Sequence, residues 1–361
     1  MSKPIIHLAA PANPADAMLR SLKFNSTKEL VAAARAALGP RYRVRAKSKL
    51  VEANLDEQNG GRSDDRARID ELQSVIEDER VVALVALKGG GWLTRIIPHL
   101  DFAPLHKRKT PLAVFGFSEI TPLVNLIGLR RRGFGFYYMT PGYPVTAMER
   151  YARQNIRKLR QTPMSSKAVG AFAKRWAQKQ GREQFDAYFR ELASVLEGGA
   201  PGRAVTGKLV SGSLPDESSA TFIGGCLSLV TPLTVAAYAK QIKPDGKWIV
   251  LEDLGEAPHR IDRQFAHLKL AGWFEKCAGV LVGDFHMGGR DQAAETLAIL
   301  DYHLPTQRSM PVVQTNLVGH TWPQAMLPVG RALTMRCQPG RGRHKDVTIT
   351  WPTDRLRVVG A

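Results

Sequence analysis

Four short apolar runs, IIHLAA (5–10), VVALVALK (81–88), PLAVFGF (111–117) and FGFYYM (134–139), recur through the first 140 residues. Runs this short, with little polar alternation, suit strands buried on both faces, and a parallel sheet flanked by helices buries both. RYRVRAK (41–47) adds a strand of alternating character. Helix-patterned segments lie between the strands: PADAMLRSL, TKELVAAARAALG closed by Gly39, and GRSDDRARIDELQSVIEDER with acidic residues early. This β–α alternation predicts an α/β fold, with a doubly wound parallel sheet of the Rossmann or flavodoxin kind over residues 1–143. Functional loops then belong at the C-terminal ends of its strands.

The pattern changes twice after that. Residues 144–203 place Val169, Phe172 and Trp176 on one helical face. Phe185, Tyr188, Phe189, Leu192 and Leu196 follow at helical spacing before a pair of glycines, so the segment reads as a helical insert or lid. Residues 204–361 carry short strands (GKLVSG, GKWIVLED, AGVLVGDF, PVVQTNL, RALTMRC, DVTITW) around the helix RIDRQFAHLKLAGWF. This predicts a smaller C-terminal α/β domain rich in short strands, with the active site at the seam between the two domains.

Composition narrows the function classes. The chain holds 51 basic and 33 acidic residues, a net charge of +18. Its basic clusters (41–49, 129–133, the 150–183 region, 341–345) are scattered and lack regular aromatic interleaving. No nucleic-acid partner is therefore expected; a basic field for a small anionic substrate, or plain arginine usage, accounts for the charge. No run approaches the ~18 apolar residues of a membrane span. The N-terminal LAAPA is too short an apolar stretch for a signal peptide and is preceded by Pro4 and His7, so a cytoplasmic, membrane-free protein is expected. Three cysteines without CxxC spacing argue against disulfides and zinc. There is no HExxH pair, and His286 near Asp284 and Asp291 reads as packing, so no metal is expected.

Three residues could carry chemistry. Ser118, in FGFSEITPL, sits where a strand meets a helix; taken alone it reads as a helix cap, and otherwise as an exposed nucleophile. Glu252 ends the apolar run of WIVLED, and His320 stands in the tight loop GHTWPQAMLP. Singly, these read as a capping acid and a structural loop histidine. The glycine turn KGGGW (88–92) matches neither GxGxxG nor GxxxxGK[ST], which leaves backbone N–H groups offered to an oxyanion as its better use.

Taken in order, five segments resemble one family. VALKGGGWLTRIIPHLDF looks like its RGGYG-type turn and RLLPxLD helix, and FGFSEIT like its G-[YF]-S-[DE]-x-T. TFIGGCLSLV is similar to GGNLSLL, IVLEDLGEAPHRIDRQFAHLKLAGWF to LEDxxExxYRIDRxLxQLxxAG, and GHTWPQAMLPVGRALTM to GHxxPxxxxPxGxxAxL. This is the LD-carboxypeptidase and microcin C immunity peptidase family, serine peptidases of two-domain α/β build. The resemblance implies Ser118 as nucleophile, Glu252 as triad acid and His320 as base. Backbone N–H groups of Gly89, Gly90 and Glu119 would meet the oxyanion, and no cofactor is needed. It implies cleavage of the L,D-bond of murein tetrapeptides with release of terminal D-alanine, with a peptidyl-nucleotide amidase as the alternative and a homodimer as the default assembly. A non-catalytic basic binding protein is the third reading, opposed by the three intact residues. Four departures bear on substrate. Lys88 replaces the usual arginine and makes a carboxylate clamp a point charge. Trp92 crowds the turn, Cys226 replaces the GGNL asparagine, and MTPGYP lacks the HGP histidine. Trp176 is a candidate aromatic shelf for a nucleobase, with a core tryptophan as the plainer reading.

Overall fold

The first apolar run becomes β1 (Ile5–Ala9), with every residue buried. A computed structural model of the chain describes residues 3–52, 64–156, 165–306, 309–340, 345–351 and 358–359. The basic run at 341–345, apart from Lys345, and the first three residues of GRSDDR lie outside them. β2 (Arg43–Ala46) and β3 (Val81–Ala86) pair with β1 on either side, followed by β4 (Leu112–Gly116) and β5 (Gly133–Tyr137), all in parallel. The order β5-β4-β3-β1-β2 is the flavodoxin-like one, with its switch point between β1 and β3. Phe115 and Phe136 stack at 4.5 Å across β4 and β5, as buried same-face neighbours should.

One strand was not expected in this sheet. β12 (Leu327–Val329) comes back from the far end of the chain and adds antiparallel to β5, with Pro328 opposite Phe136. A proline is tolerated there because β12 is the edge.

The remaining strands form a second sheet. In chain order they are β6 (Val205–Ser211), β7 (Glu217–Cys226), β8 (Trp248–Leu254), β9 (Gly279–Met287), β10 (Arg290–Asp291), β11 (Val312–Gln314), β13 (Ala332–Pro339) and β14 (Lys345–Thr350). Their order is β10-β9-β11-β6-β14-β13-β7-β8, and β8 also pairs with β9. The sheet thus closes into a barrel, leaving β10 as a short antiparallel appendage and removing exposed edges.

The described residues of 144–203 lie mostly in helices. Helix Tyr143–Gln154 is followed by one continuous helix, Ser166–Leu196, capped by the Ser165 hydroxyl accepting from Ala168 N–H. Phe185, Tyr188, Phe189, Leu192 and Leu196 are buried, and Phe185 meets Phe24 edge-on at 5.2 Å. The helix passes unbroken through Gly181, where a side chain would press on Val145.

The two sheets meet through the helix Thr121–Gly128. Its Asn125, fully buried, donates to the Gly224 carbonyl and accepts from the Gly224 N–H, each at 2.9 Å. An asparagine that satisfies both polar groups of one residue on β7 fixes how the helix seats on the barrel.

Candidate active site

Ser118 does not cap a helix. It has φ of +57°, in the left-handed region, and neither the 3₁₀ turn it begins nor the following helix Thr121–Gly128 takes a side-chain cap from it. A serine held there costs about 1–3 kcal/mol, and such strain concentrates at functional sites. The bend lies at Ser118 itself; Gly116 provides room, since a Cβ there would fall 2.7 Å from Ile120. The turn is tied down by Thr121, whose hydroxyl donates to the Ser118 carbonyl at 2.6 Å, and by the Ser118 N–H, which donates to Tyr137 Oη at 3.2 Å.

Glu252 and His320 come together although 68 residues separate them. Glu252 Oε2 accepts from His320 Nδ1 at 2.7 Å and from the His320 backbone N–H at 3.1 Å. Its Oε1 accepts from the Tyr137 hydroxyl, so this fully buried carboxylate has three donors. An ionised carboxylate only accepts, so Nδ1 carries hydrogen and Nε2 is left as the basic nitrogen. Gly319 makes the approach possible: its φ is +109°, and a Cβ would land 2.6 Å from Glu252 Oε2. The His320 carbonyl accepts from Tyr143 Oη and from Arg150 Nη1, both at 2.8 Å, so the insert's first helix holds the histidine loop. Gln324 completes the clamp, accepting from Met139 N–H and donating to the Gly319 carbonyl.

Burial pulls the His320 pKa down, but the charge and hydrogen bond of Glu252, with help from Asp253 and Asp284, outweigh it and leave the ring above 6.5. Asp253 is pushed up to about 6 by burial and then by Glu252's charge, despite hydrogen bonds from the Ser228 and Leu254 N–H groups. The same burial, with Asp253 and Glu252 close by, raises the Cys226 thiol well above 9, so it is not a thiolate nucleophile.

Ser118 and His320 both line a cavity of about 550 Å³, together with Lys88, Gly89 and Gly90 from the glycine turn and Asp253 and Glu256 opposite. The Ser118 hydroxyl makes no hydrogen bond among the described residues, and catalytic hydrogen bonds often tighten only once substrate is bound. A Cβ built on Gly89 would sit 3.6 Å from Ser118 Oγ and from the Glu119 nitrogen, which puts the glycine turn beside the serine. The N–H groups of Gly89, Gly90 and Glu119 have no partner among the described residues. At the sheet's switch point, Asn13 anchors the turn by donating its N–H to Gly89 O and accepting from Gly91 N–H. A second groove, of about 630 Å³, also holds a histidine and a serine. There, both His7 nitrogens are taken by Glu71 and Arg45, and the Ser74 hydroxyl by a backbone carbonyl.

Two residues expected at the substrate are not in the cavity. Trp92 takes a left-handed φ of 78° and stacks under Arg95. Trp176, partly buried, packs edge-on against Trp322 at 6.2 Å. Glu119 is buried, with its side chain accepting from the Leu93 and Thr94 N–H groups. His286 is held by Asp284 at 2.7 Å and by Arg150, and Asp291 caps Ala293. Tyr137, Tyr143, Arg150 and Gln324 escaped the sequence reading. The one available signal was that a buried tyrosine needs a partner for its hydroxyl.

The family description "LD-carboxypeptidase N-terminal domain" matches residues 6–137, and "LD-carboxypeptidase C-terminal domain" matches 219–335. The interval between the matches contains the helices Tyr143–Gln154 and Ser166–Leu196. The "Probable murein peptide carboxypeptidase" of Bacillus subtilis (strain 168) is 25% identical over 296 residues, covering 80% of this chain and 79% of its own. The fold is shared with muramoyltetrapeptide carboxypeptidase from Oxalobacter formigenes, at TM-score 0.57, 20% identity and coverage of 96% and 98% of the two chains. It is shared also with the microcin C7 self immunity protein MccF solved with aspartyl sulfamoyl adenosine, at TM-score 0.58, 14% identity and 98% coverage of both. With both of its domain descriptions matched in order, this chain belongs to the LD-carboxypeptidase family of peptidases.

Proposed function

We propose that this hydrolase is a serine carboxypeptidase that removes the terminal D-alanine from murein tetrapeptides by a Ser118–His320–Glu252 triad. The observation that carries the reading is the Glu252–His320 pair opening onto the same cavity as a serine held in a strained turn. His320 Nε2 takes the Ser118 proton as Oγ attacks the scissile carbonyl, while Glu252 fixes the ring's tautomer and stabilises the imidazolium. The developing oxyanion is met by the unpartnered N–H groups of the glycine turn and of Glu119; losing one such donor costs about 3 kcal/mol. His320 then protonates the leaving amine, and water hydrolyses the acyl-enzyme.

The cavity walls favour a small zwitterionic peptide. Lys88 offers one cation for a terminal carboxylate, and Asp253 and Glu256 offer carboxylates to an ammonium group. A tetrapeptide bearing a diamino acid before its terminal D-alanine presents both. The volume of about 550 Å³ is in the range of small-ligand sites. A nucleobase shelf at Trp176 has no support from the cavity, whose lining does not include it. We place the enzyme in a reducing, cytoplasmic setting and in murein recycling, a reading supported by three buried cysteines that are all free. Among the described residues, no helix is long and apolar enough to cross a membrane.

Incubation with murein tetrapeptide beside aminoacyl-sulfamoyl-adenosine, followed by mass spectrometry, tests the substrate. Tripeptide plus free D-alanine, with the sulfamoyl compound untouched, is the expected result; the reverse pattern overturns it. A pH profile tests the base. His320 must be neutral to accept a proton, and its pKa lies above 6.5. Activity therefore falls as the medium is acidified, and the acid limb of kcat/KM has its midpoint above pH 6.5. A midpoint near pH 4 would assign the limb to a different group.

A further inference from the structure

We propose that Tyr137 is a positioning residue for both halves of the triad, its single hydroxyl holding the nucleophile's backbone on one side and the triad acid on the other; this rests on the triad reading above.

Tyr137 is the last residue of β5, 1% exposed, and lies beside Gly116 in the β4–β5 register, two residues before the nucleophile. Its Oη accepts from the Ser118 N–H at 3.2 Å and meets Glu252 Oε1 on the other side. The direction of the chain is forced. An amide N–H can only donate, and an ionised carboxylate can only accept. The phenolic hydrogen therefore goes to Glu252, and the phenolic lone pair faces Ser118. The hydrogen stays in place because burial and then Glu252's charge raise the phenol's pKa well above 10. The contact spans the two sheets, since Glu252 lies on β8 of the barrel. The barrel makes room for the ring with Gly225, where a Cβ would fall 2.5 Å from Tyr137 Cε2.

Two consequences follow for the reaction. The Ser118 N–H is committed to Tyr137, so the oxyanion falls to Gly89, Gly90 and Glu119 rather than to the nucleophile's own amide. The Tyr137 hydroxyl takes up part of the negative charge on Glu252 Oε1, so the carboxylate stabilises the His320 imidazolium less strongly than it would without that bond. A tyrosine that merely filled space would affect neither property.

Tyr137→Phe keeps the ring and removes the hydroxyl. With the tetrapeptide as substrate, the expected result is a kcat at least about tenfold lower, KM within about twofold, and an acid limb of kcat/KM about one pH unit higher. An unshifted limb with kcat/KM within about twofold of wild type overturns the proposal. Amide hydrogen exchange at Ser118 in the wild-type protein decides the matter if the variant does not fold. Protection well above that of an open turn is expected, and exchange at the open-turn rate overturns the proposal. Ser118→Ala separates the two readings. Hydrolysis that survives it removes the triad itself, whereas its loss beside a silent Tyr137→Phe removes only the positioning role.

Discussion

Ser118→Ala abolishes turnover of the tetrapeptide while leaving the melting temperature essentially unchanged. The first half follows from the proposed role: removing the nucleophile of a serine triad lowers kcat by about 10⁴–10⁶-fold, with only binding and the oxyanion donors left to act. The second half follows from what the hydroxyl does in the folded chain. Its Oγ makes no hydrogen bond among the described residues, and the bonds holding the turn use the backbone N–H and carbonyl of Ser118. Alanine keeps a Cβ at φ of +57° and therefore keeps the strain. The substitution should stay within about 0.5 kcal/mol of wild type. Ser118→Gly sharpens the comparison, because relief of a left-handed φ stabilises by about 1 kcal/mol. A thermal melt beside a peptide-release assay reads both. Retained hydrolysis in the alanine variant would remove the serine from the mechanism. A large loss of stability would mean that the hydroxyl is structural, as the helix-cap reading holds.

That cap reading shows where the sequence stops being informative. FGFSEI displays a serine between a strand and a helix, but the sign of φ at Ser118 depends on Thr121, Tyr137 and the packing of Ile120 on Gly116. The first sheet was legible because strands buried on both faces are uniformly apolar, and β1, β3, β4 and β5 are buried throughout. β7 was not, because its first half, ESSAT, lies on an exposed part of the barrel and lacks that signal. β12 escaped as three residues containing a proline. Barrel closure rests on pairings between strands distant in sequence, which no local pattern encodes. Tyr137 and Tyr138 are neighbours with almost the same surroundings in sequence. Side chains alternate along a strand, however, so Tyr138 bonds Glu191 of the insert at 2.7 Å while Tyr137 turns to Glu252. Only the position of the second sheet separates them. Glu252 and His320 were singled out by motif resemblance; periodicity alone left them a cap and a loop residue.

Glu252→Gln carries the second large effect, an expected loss of about 10⁴-fold in kcat with KM little changed. The geometry of the three donors on this carboxylate explains why an isosteric amide cannot replace it. Glu252 Oε2 takes two hydrogens from His320, and Oε1 takes one from Tyr137. If the amide oxygen of glutamine faces His320, its NH₂ faces Tyr137 Oη, which already accepts from Ser118 N–H, and the phenolic hydrogen loses its acceptor. If the amide is reversed, two donors from His320 confront the NH₂, and the ring can relieve the clash only by moving its proton to Nε2. That tautomer has no lone pair toward the serine. Either arrangement leaves a donor unsatisfied in a site with no exposure, at a cost of about 1–3 kcal/mol in stability. Loss of activity should thus come with a lower melting temperature, which sets this variant apart from Ser118→Ala. Acylation of Ser118 by a fluorophosphonate probe should slow in parallel with hydrolysis, because both reactions need the same proton taken from the same oxygen. If the probe reacted at the wild-type rate while hydrolysis was lost, Glu252 would act on the leaving amine or on acyl-enzyme hydrolysis and not on the attack.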